Sequence, residues 1–316
     1  MLLDSHGRRI TYLRVSVTDR CNLRCLYCSR HRFQWLPPEE ILTYEEIARV
    51  VRVAVELGVE RVRLTGGEPL LRRGLPGLIR MLADIEGLRD LSLTTNGVLL
   101  SDLASELKAA GLARVNVSLD TLDPEKFKRI TGMDALARVL AGVEAALARG
   151  LTPVKINTVV VRGLNEEEVP EMARLTLSEP LHLRFIEFMP IGEGNEWEDR
   201  FVGLEEVMER VREVGDLLPA EVEGGGPARI FRLPGARGTI GFIAAISRHF
   251  CAACNRLRLT PEGRLRLCLF SDREFDLRPY LRREEDLRQA LAEAVRLKPV
   301  SRAGTRPRRL MRSIGG

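Results

Sequence analysis

No apolar stretch in the chain approaches membrane length. The longest, VVRVAVELGV at 50–59, is broken by Arg52 and Glu56, whereas a spanning helix needs about 20 predominantly apolar residues. The first sixteen residues, MLLDSHGRRITYLRVS, lack the basic, apolar and small-residue order of a secretory leader. A cytoplasmic protein without a membrane partner is therefore expected. Aromatic residues are only 5 % of the chain and scarcely interleave with its arginines, which removes the stacking platform that single-stranded nucleic acid needs. Charge of one sign is not dominant either: the net value is +5 over 316 residues, too mild to imply a polyanionic partner by itself. Internal repeats and low-complexity segments are missing. With 45 % hydrophobic and 29 % charged residues, the chain suits one large or two ordinary soluble domains.

Cysteine is scarce as well, and the six present fall into two incomplete sets. Cys21, Cys25 and Cys28 are spaced C-x3-C-x2-C. Cys251, Cys254 and Cys268 are spaced C-x2-C-x13-C. In a reducing compartment such clusters point to metal binding or catalysis rather than disulfides. A cubane iron–sulfur cluster normally takes four thiolates, so three leave one iron free for another ligand. The alternative is zinc completed by a histidine, His31 for the first set and His249 for the second.

Short β-rich runs alternate with helical periodicity up to about residue 188. Strands are expected at 12–17, 59–65, 91–95, 114–119, 154–160 and 183–188. Thr43-x-x-Glu46 reads as a capping box before apolar Ile47, Val50, Val51 and Ala54. Ser101 is read as the cap of a helix ending at Gly111, and 135–149 as a further helix. Six such βα units imply a parallel sheet: an α/β fold, an incomplete (βα)6 TIM-type barrel, with its chemistry on the loops after the strands. The motifs fall on those loops. The run Gly224-Gly225-Gly226-Pro227 reads as a linker, dividing the chain into 1–222 and a smaller C-terminal α+β region, 223–316. There, strands are expected at 230–233 and 239–243, a hairpin turn at Pro261-Glu262-Gly263 and a helix at 284–296.

The stretch TDRCNLRCLYC near the first strand, followed by Thr65-Gly66-Gly67-Glu68-Pro69, resembles the radical S-adenosylmethionine superfamily. The resemblance implies a 4Fe–4S cluster on Cys21, Cys25 and Cys28, whose open iron chelates S-adenosylmethionine and reduces it to a 5′-deoxyadenosyl radical. It also implies cofactor contacts from Tyr27, Gly67, Ser118 and Met189. Glycines suit close approach of a ligand to main chain, although a glycine pair after a strand also makes an ordinary turn. Met189 would otherwise be core packing.

Beside the second triad lie Arg256 and Arg258, and guanidinium forks suit phosphate. Further arginines crowd the end of the chain: Arg264, Arg266, Arg302, Arg306, Arg308, Arg309 and Arg312. By themselves they read as a solvated or nucleic-acid-facing tail. Together, RVSVTDRCNLRCLYC, RLTGGEPLLRR, TTNG, RVNVSLDTLD, FMP, FCAACNRLRLTPEGRLRLCLF and the terminal IGG resemble one family along the whole chain. These are radical enzymes of molybdenum-cofactor biosynthesis that convert GTP to 3′,8-cyclo-7,8-dihydro-GTP.

That resemblance implies a second 4Fe–4S cluster on Cys251, Cys254 and Cys268, holding guanine at its open iron. It implies GTP contacts from Arg14, Arg63, Thr94 (with Thr95 beside it), Lys155, Arg256, Leu257 and Arg258, and a Gly315-Gly316 tail supporting the radical step. Taken alone, Arg14 and Arg63 could face solvent, Lys155 could snorkel from an edge, and two terminal glycines could be a loose end. The family implies as partners an electron donor such as flavodoxin or ferredoxin, and a cyclic pyranopterin monophosphate synthase that receives the product. A homodimer is the candidate assembly. Ser29-Arg30 departs from the Met-Pro frequent in the family. The rival readings are a radical peptide-modifying enzyme, favoured by a fourth C-terminal cysteine that is missing, and a basic zinc module gripping nucleic acid.

Overall fold

Along each expected strand, apolar residues alternate with polar or charged ones, so each strand must place its two faces in different environments. The computed structural model describes residues 1–28, 35–191, 197–222, 226–302, 309 and 311–315, without the side chains of Trp197 and Arg312. Ser29, Arg30, His31, Gly224, Gly225, Arg306, Arg308 and Gly316 lie outside the described residues. The strands of the first half are β1 (Tyr12–Ser16), β2 (Arg61–Thr65), β3 (Asp90–Thr95), β4 (Arg114–Ser118), β5 (Lys155–Val160) and β6 (His182–Glu187). Each agrees with expectation to within two residues. They are mutually parallel neighbours in chain order.

Between them run α1 (Tyr44–Glu56), α2 (Leu75–Ala83), α3 (Leu100–Ala109), α4 (Pro124–Thr131), α5 (Leu136–Ala148) and α6 (Val169–Ser178). Helix α1 starts where expected: Thr43 Oγ1 accepts from the Glu46 N–H at 3.2 Å while the Thr43 N–H donates to Glu46 Oε2 at 2.8 Å, a reciprocal cap of about 1 kcal/mol. Ser101 is not a cap. Gly97 turns the chain at φ +82°, Leu100 N–H already donates to Gly97 O, and Leu100 is fully buried. The helix therefore begins one residue before Ser101, whose hydroxyl faces Asp102.

The second half supplies α7 (Trp197–Arg200), α8 (Leu204–Arg212), β7 (Leu218–Pro219), β8 (Arg229–Arg232), β9 (Thr239–Ile243), β10 (Arg256–Leu259), β11 (Arg264–Arg266), β12 (Glu274–Asp276), α9 (Glu284–Arg296) and α10 (Met311–Ile314). Its strands add to both edges of the first sheet. Strand β9 pairs in parallel with β6, and β10 in parallel with β1. The sheet runs β12-β11-β10-β1-β2-β3-β4-β5-β6-β9-β8-β7 without closing. Eight adjacent parallel strands thus form an open barrel wall, two more than the local patterns disclose. The expected hairpin turn is present: Thr260 N–H donates to Arg264 O, and Gly263 takes φ +86°.

The outward positions Leu13, Val15, Val62, Leu64, Leu93, Val115, Val117 and Ile156 are buried in one core with the apolar helix faces. The alternate positions include Arg14, Arg63, Thr94, Asn116, Asn157, Arg184 and Arg258. A barrel interior is ordinarily packed with branched apolar side chains; a polar, cationic one is built to receive something.

Candidate active site

Both cysteine sets line one cavity of about 340 Å³ inside the barrel, the first on the loop after β1 and the second beside the N-terminal ends of β1 and β10. Cys21, Cys25 and Cys28 stand on the loop after β1, where the Cys28 N–H donates to Cys25 O at 3.0 Å and the Leu23 N–H approaches Cys21 Sγ at 3.4 Å. Asn96 Nδ2 lies 3.9 Å from that sulfur. Burial pushes the Cys21 thiol up to about 11 and Cys25 well above the ordinary thiol range. Buried thiols gathered with so little compensating charge suit a metal group that supplies the missing positive charge.

The glycine pair has a local reason as well. A Cβ on Gly66 would come within 2.5 Å of Thr18 O, and one on Gly67 within 2.3 Å of Arg20 O. The Gly67 and Glu68 N–H groups donate to Thr18 O and Arg20 O, so the loop carrying Cys21 lies directly on the pair. Buried Glu68 then ties this loop to the end of β3, accepting from the Asn96 N–H at 2.7 Å and the Thr95 hydroxyl at 2.8 Å.

Tyr27, Gly67, Ser118 and Met189 all reach the cavity. The Tyr27 hydroxyl donates to Asp120 Oδ2, and its ring meets Phe188 edge-on at 6.4 Å. Asp120 also accepts from the Val159 N–H, and burial lifts its carboxyl to about 6.

Cys251, Cys254 and Cys268 line the same cavity, with His249 nearby. For Cys254, burial opposes ionisation, yet Lys298, Arg256 and Arg258 bring the thiol below its ordinary value. Cys254 thus sits in electrostatic surroundings opposite to those of Cys21 and Cys25. Among the described residues no three His, Cys, Asp or Glu side chains converge to hold a single metal ion.

Arg14, Arg63, Arg256 and Arg258 line the cavity. Burial first, and then Arg258, push Arg14 well below the usual guanidinium range; burial and Arg256 take Arg258 to about 10. Desolvated like charges held this close await an anion. Tyr12 Oη, Asn157 Oδ1, Arg256 Nε and Arg258 Nε, all in the cavity wall, are buried without a protein partner.

Thr94 occupies the inward position on β3, while the Thr95 hydroxyl is committed to Glu68 and to the Gly97 N–H. Lys155 is fully buried and does not line the cavity, although it is in register with Asn116 and through it with Thr94; burial, then Arg184, Arg114 and Arg63, lower it to about 6 against the opposing pull of Asp90. Leu257 is not brought to the cavity: it pairs with Leu13 and lies in the outer core, because alternation turns it away from the side Arg256 and Arg258 face.

Of the remaining arginines, Arg264 is exposed, whereas Arg266, Arg302 and Arg309 have partners within the fold. Arg266 is fully buried against Glu274, Arg309 pairs with Glu262 and Glu274, and Arg302 lies 5.7 Å from the Phe270 ring centre. The chain end itself enters the barrel: Met311 lines the cavity, and Ser313, Ile314 and Gly315 are buried.

Arg184 and Lys298 also line the cavity, unforeseen. Arg184 alternates with apolar residues on β6 as Arg14 does on β1, so the same signal could have found it. Lys298, beyond the end of α9, carries no such signal.

Residues 15–176 match the Radical SAM superfamily, and residues 181–303 match the family described as Molybdenum Cofactor Synthesis C. The chain is 51 % identical to a GTP 3′,8-cyclase of Pelotomaculum thermopropionicum over 99 % of both chains. It is 49 % identical to that of Heliobacterium modesticaldum over the full length of both. Among solved structures, Streptococcus suis SuiB bound to S-adenosylmethionine shares the fold, with a TM-score of 0.66 over 92 % of this chain and 68 % of that one at 14 % identity. The chain belongs to the radical S-adenosylmethionine superfamily and, within it, to the GTP 3′,8-cyclases.

Proposed function

We propose that this chain converts GTP to 3′,8-cyclo-7,8-dihydro-GTP, the first step of molybdenum-cofactor biosynthesis. The observation that carries the reading is one cavity walled by both cysteine triads and by five guanidinium groups, Arg14, Arg63, Arg184, Arg256 and Arg258. Each triad would hold a 4Fe–4S cluster by three thiolates, leaving an iron for a substrate atom. When bound, the first cluster and S-adenosylmethionine supply a 5′-deoxyadenosyl radical, which takes hydrogen from the ribose 3′ carbon.

The protein's own part is holding. Cys21, Cys25 and Cys28 would hold the first cluster beside Tyr27, Gly67, Ser118 and Met189, which line the cavity where S-adenosylmethionine would sit. Ser118 would offer a hydroxyl to its carboxylate and Met189 an apolar wall to its adenine. Across the cavity, Arg14, Arg63, Thr94, Lys155, Arg184, Arg256 and Arg258 would hold the triphosphate, with Leu257 seating the two arginines that flank it. Guanidinium forks bind phosphate bidentately, and their mutual repulsion in the empty cavity is relieved by that anion. Pinning base and phosphates brings C3′ and C8 of one molecule into a reactive geometry. The Gly315-Gly316 tail would complete the cavity wall.

Residues 1–222 would thus carry the first cluster and S-adenosylmethionine together with Arg14, Arg63, Thr94, Lys155 and Arg184, and 223–316 the second cluster with Arg256 and Arg258. The enzyme would work in the cytoplasm, take electrons from a flavodoxin or ferredoxin, pass its product to cyclic pyranopterin monophosphate synthase, and pair as a homodimer. Among the described residues no helix is long and apolar enough to cross a membrane.

The test uses GTP deuterated at the ribose 3′ carbon. Reduced enzyme with S-adenosylmethionine should release 5′-deoxyadenosine only when GTP is present, and the label should appear in it. Release that ignores GTP would overturn the substrate, and label left in the nucleotide would overturn the site of abstraction.

A further inference from the structure

None of the three cysteines of the second triad lies within an α-helix or β-strand, so the barrel's own hydrogen-bond ladder does not set their separations. Two cations from distant parts of the chain, half-buried Arg8 and buried Lys298, do. Arg8 Nη1 donates to Cys251 O at 2.7 Å and to Val300 O at 2.9 Å, and Nη2 donates to Pro299 O. Its Nε pairs with buried Asp4, whose Oδ1 is fixed by the N–H groups of His6 and Arg8, both at 2.9 Å. Lys298 is 3 % exposed. Its ammonium donates to Arg256 O at 2.9 Å, two residues past Cys254, and to Leu267 O, immediately before Cys268. Every cysteine-bearing segment is therefore held within two residues of its sulfur ligand.

The two cations differ in charge balance. Arg8 is neutralised by Asp4, whereas among the described residues no carboxylate pairs with Lys298. Its two hydrogen bonds among the described residues go to neutral carbonyls; burial opposes its charge, and Cys254 and Cys268 are the groups that favour it. Hydrogen bonding and charge around a cluster govern both its retention and its potential.

We propose that Arg8 and Lys298 are positioning residues for the second cluster. Arg8 anchors the Cys251 segment to the root of the C-terminal tail. Lys298 clamps the Cys254 and Cys268 segments together and offsets the negative charge of their thiolates. This rests on the reading that the second triad holds a cluster, and the experiment separates the two.

Wild type, Arg8→Met, Lys298→Met and Lys298→Arg are reconstituted anaerobically, and iron and sulfide per chain, electron paramagnetic resonance and midpoint potentials are measured. Wild type should hold about eight irons, two cubanes. Both Met variants should fall toward about four, and the surviving signal should still respond to S-adenosylmethionine. Any second cluster left in Lys298→Met should titrate at a more negative potential while the first is unchanged, and Lys298→Arg should keep its iron. Eight irons with unaltered potentials in both Met variants would overturn the assignment. Equal loss of both clusters would overturn it too, since the residues would then serve the fold at large. A wild type holding only four irons would instead overturn the second cluster itself.

Discussion

Gly315 stands so close to Thr65 that a Cβ on it would lie 2.7 Å from Thr65 Cγ2. Thr65 ends β2 in the cavity wall, and Gly315 reaches it with φ +72°, a conformation L side chains avoid. Two independent constraints, backbone and space, thus require glycine at this point.

Gly315→Ala should dislodge the tail. The backbone term alone is about 1–2 kcal/mol, before the overlap with Thr65 is counted, so product formation should fall about tenfold or more. The thermal midpoint should hardly move, because only the chain end is displaced. Wild-type cyclisation by this variant would show that tail docking is dispensable.

Arg14→Ala and Arg258→Ala should weaken GTP binding. A hydrogen bond to a charged group contributes about 1.5–3 kcal/mol, so each loss should raise Kd by about 10–100-fold. Without nucleotide the same variants should be no less stable, since each removes a desolvated charge facing another. Calorimetric titration with GTP and thermal melts read the two effects separately. A large fall in melting temperature would give these arginines a structural role instead.

Lys155 should make stability depend on pH. Burial, then Arg184, Arg114 and Arg63, lower its folded value to about 6 against 10.5 for the free side chain. Between those values the unfolded chain binds the extra proton, so stability rises with pH, by at most about 1.4 kcal/mol per unit from this group. Lys155→Met removes that dependence. In nucleotide-free denaturant titrations its stability advantage over wild type should shrink from pH 7 to pH 9. An advantage constant with pH would mean that Lys155 stays charged in the folded chain.

The two triads should separate by mutation. Cys251→Ala should keep about four irons and still cleave S-adenosylmethionine slowly, without forming product. Cys21→Ala should lose cleavage altogether. Iron analysis and chromatography of 5′-deoxyadenosine distinguish them, and cleavage surviving in Cys21→Ala would refute the division of labour.

Much of the site was legible because its signals are short-range. Strand positions followed from alternation, α1 from its Thr43–Glu46 cap, and the two cysteine sets that line the cavity from their spacing. What escaped was set by long-range pairing. Nothing near 239–243 or 256–259 tells that β9 and β10 join opposite edges of a sheet begun 227 and 244 residues earlier, at Tyr12. For the same reason Lys298 gave no warning that it reaches the carbonyls beside two cysteines. Leu257 and Ser101 show the complementary error: a matching stretch or a favourable residue type does not decide which way one side chain points.

From the sequence alone came the identity of the chemistry: two sets of three thiols, neither complete, and arginines spaced to share one strand face. Those follow from covalent order, because ligand spacing and period-two alternation are properties of neighbouring residues. Only the tertiary structure brought the triads to one cavity, turned the arginines inward and laid Gly315 against Thr65. These relations join segments up to 250 residues apart, and the geometry that joins them exists only once the sheet has assembled from both ends of the chain.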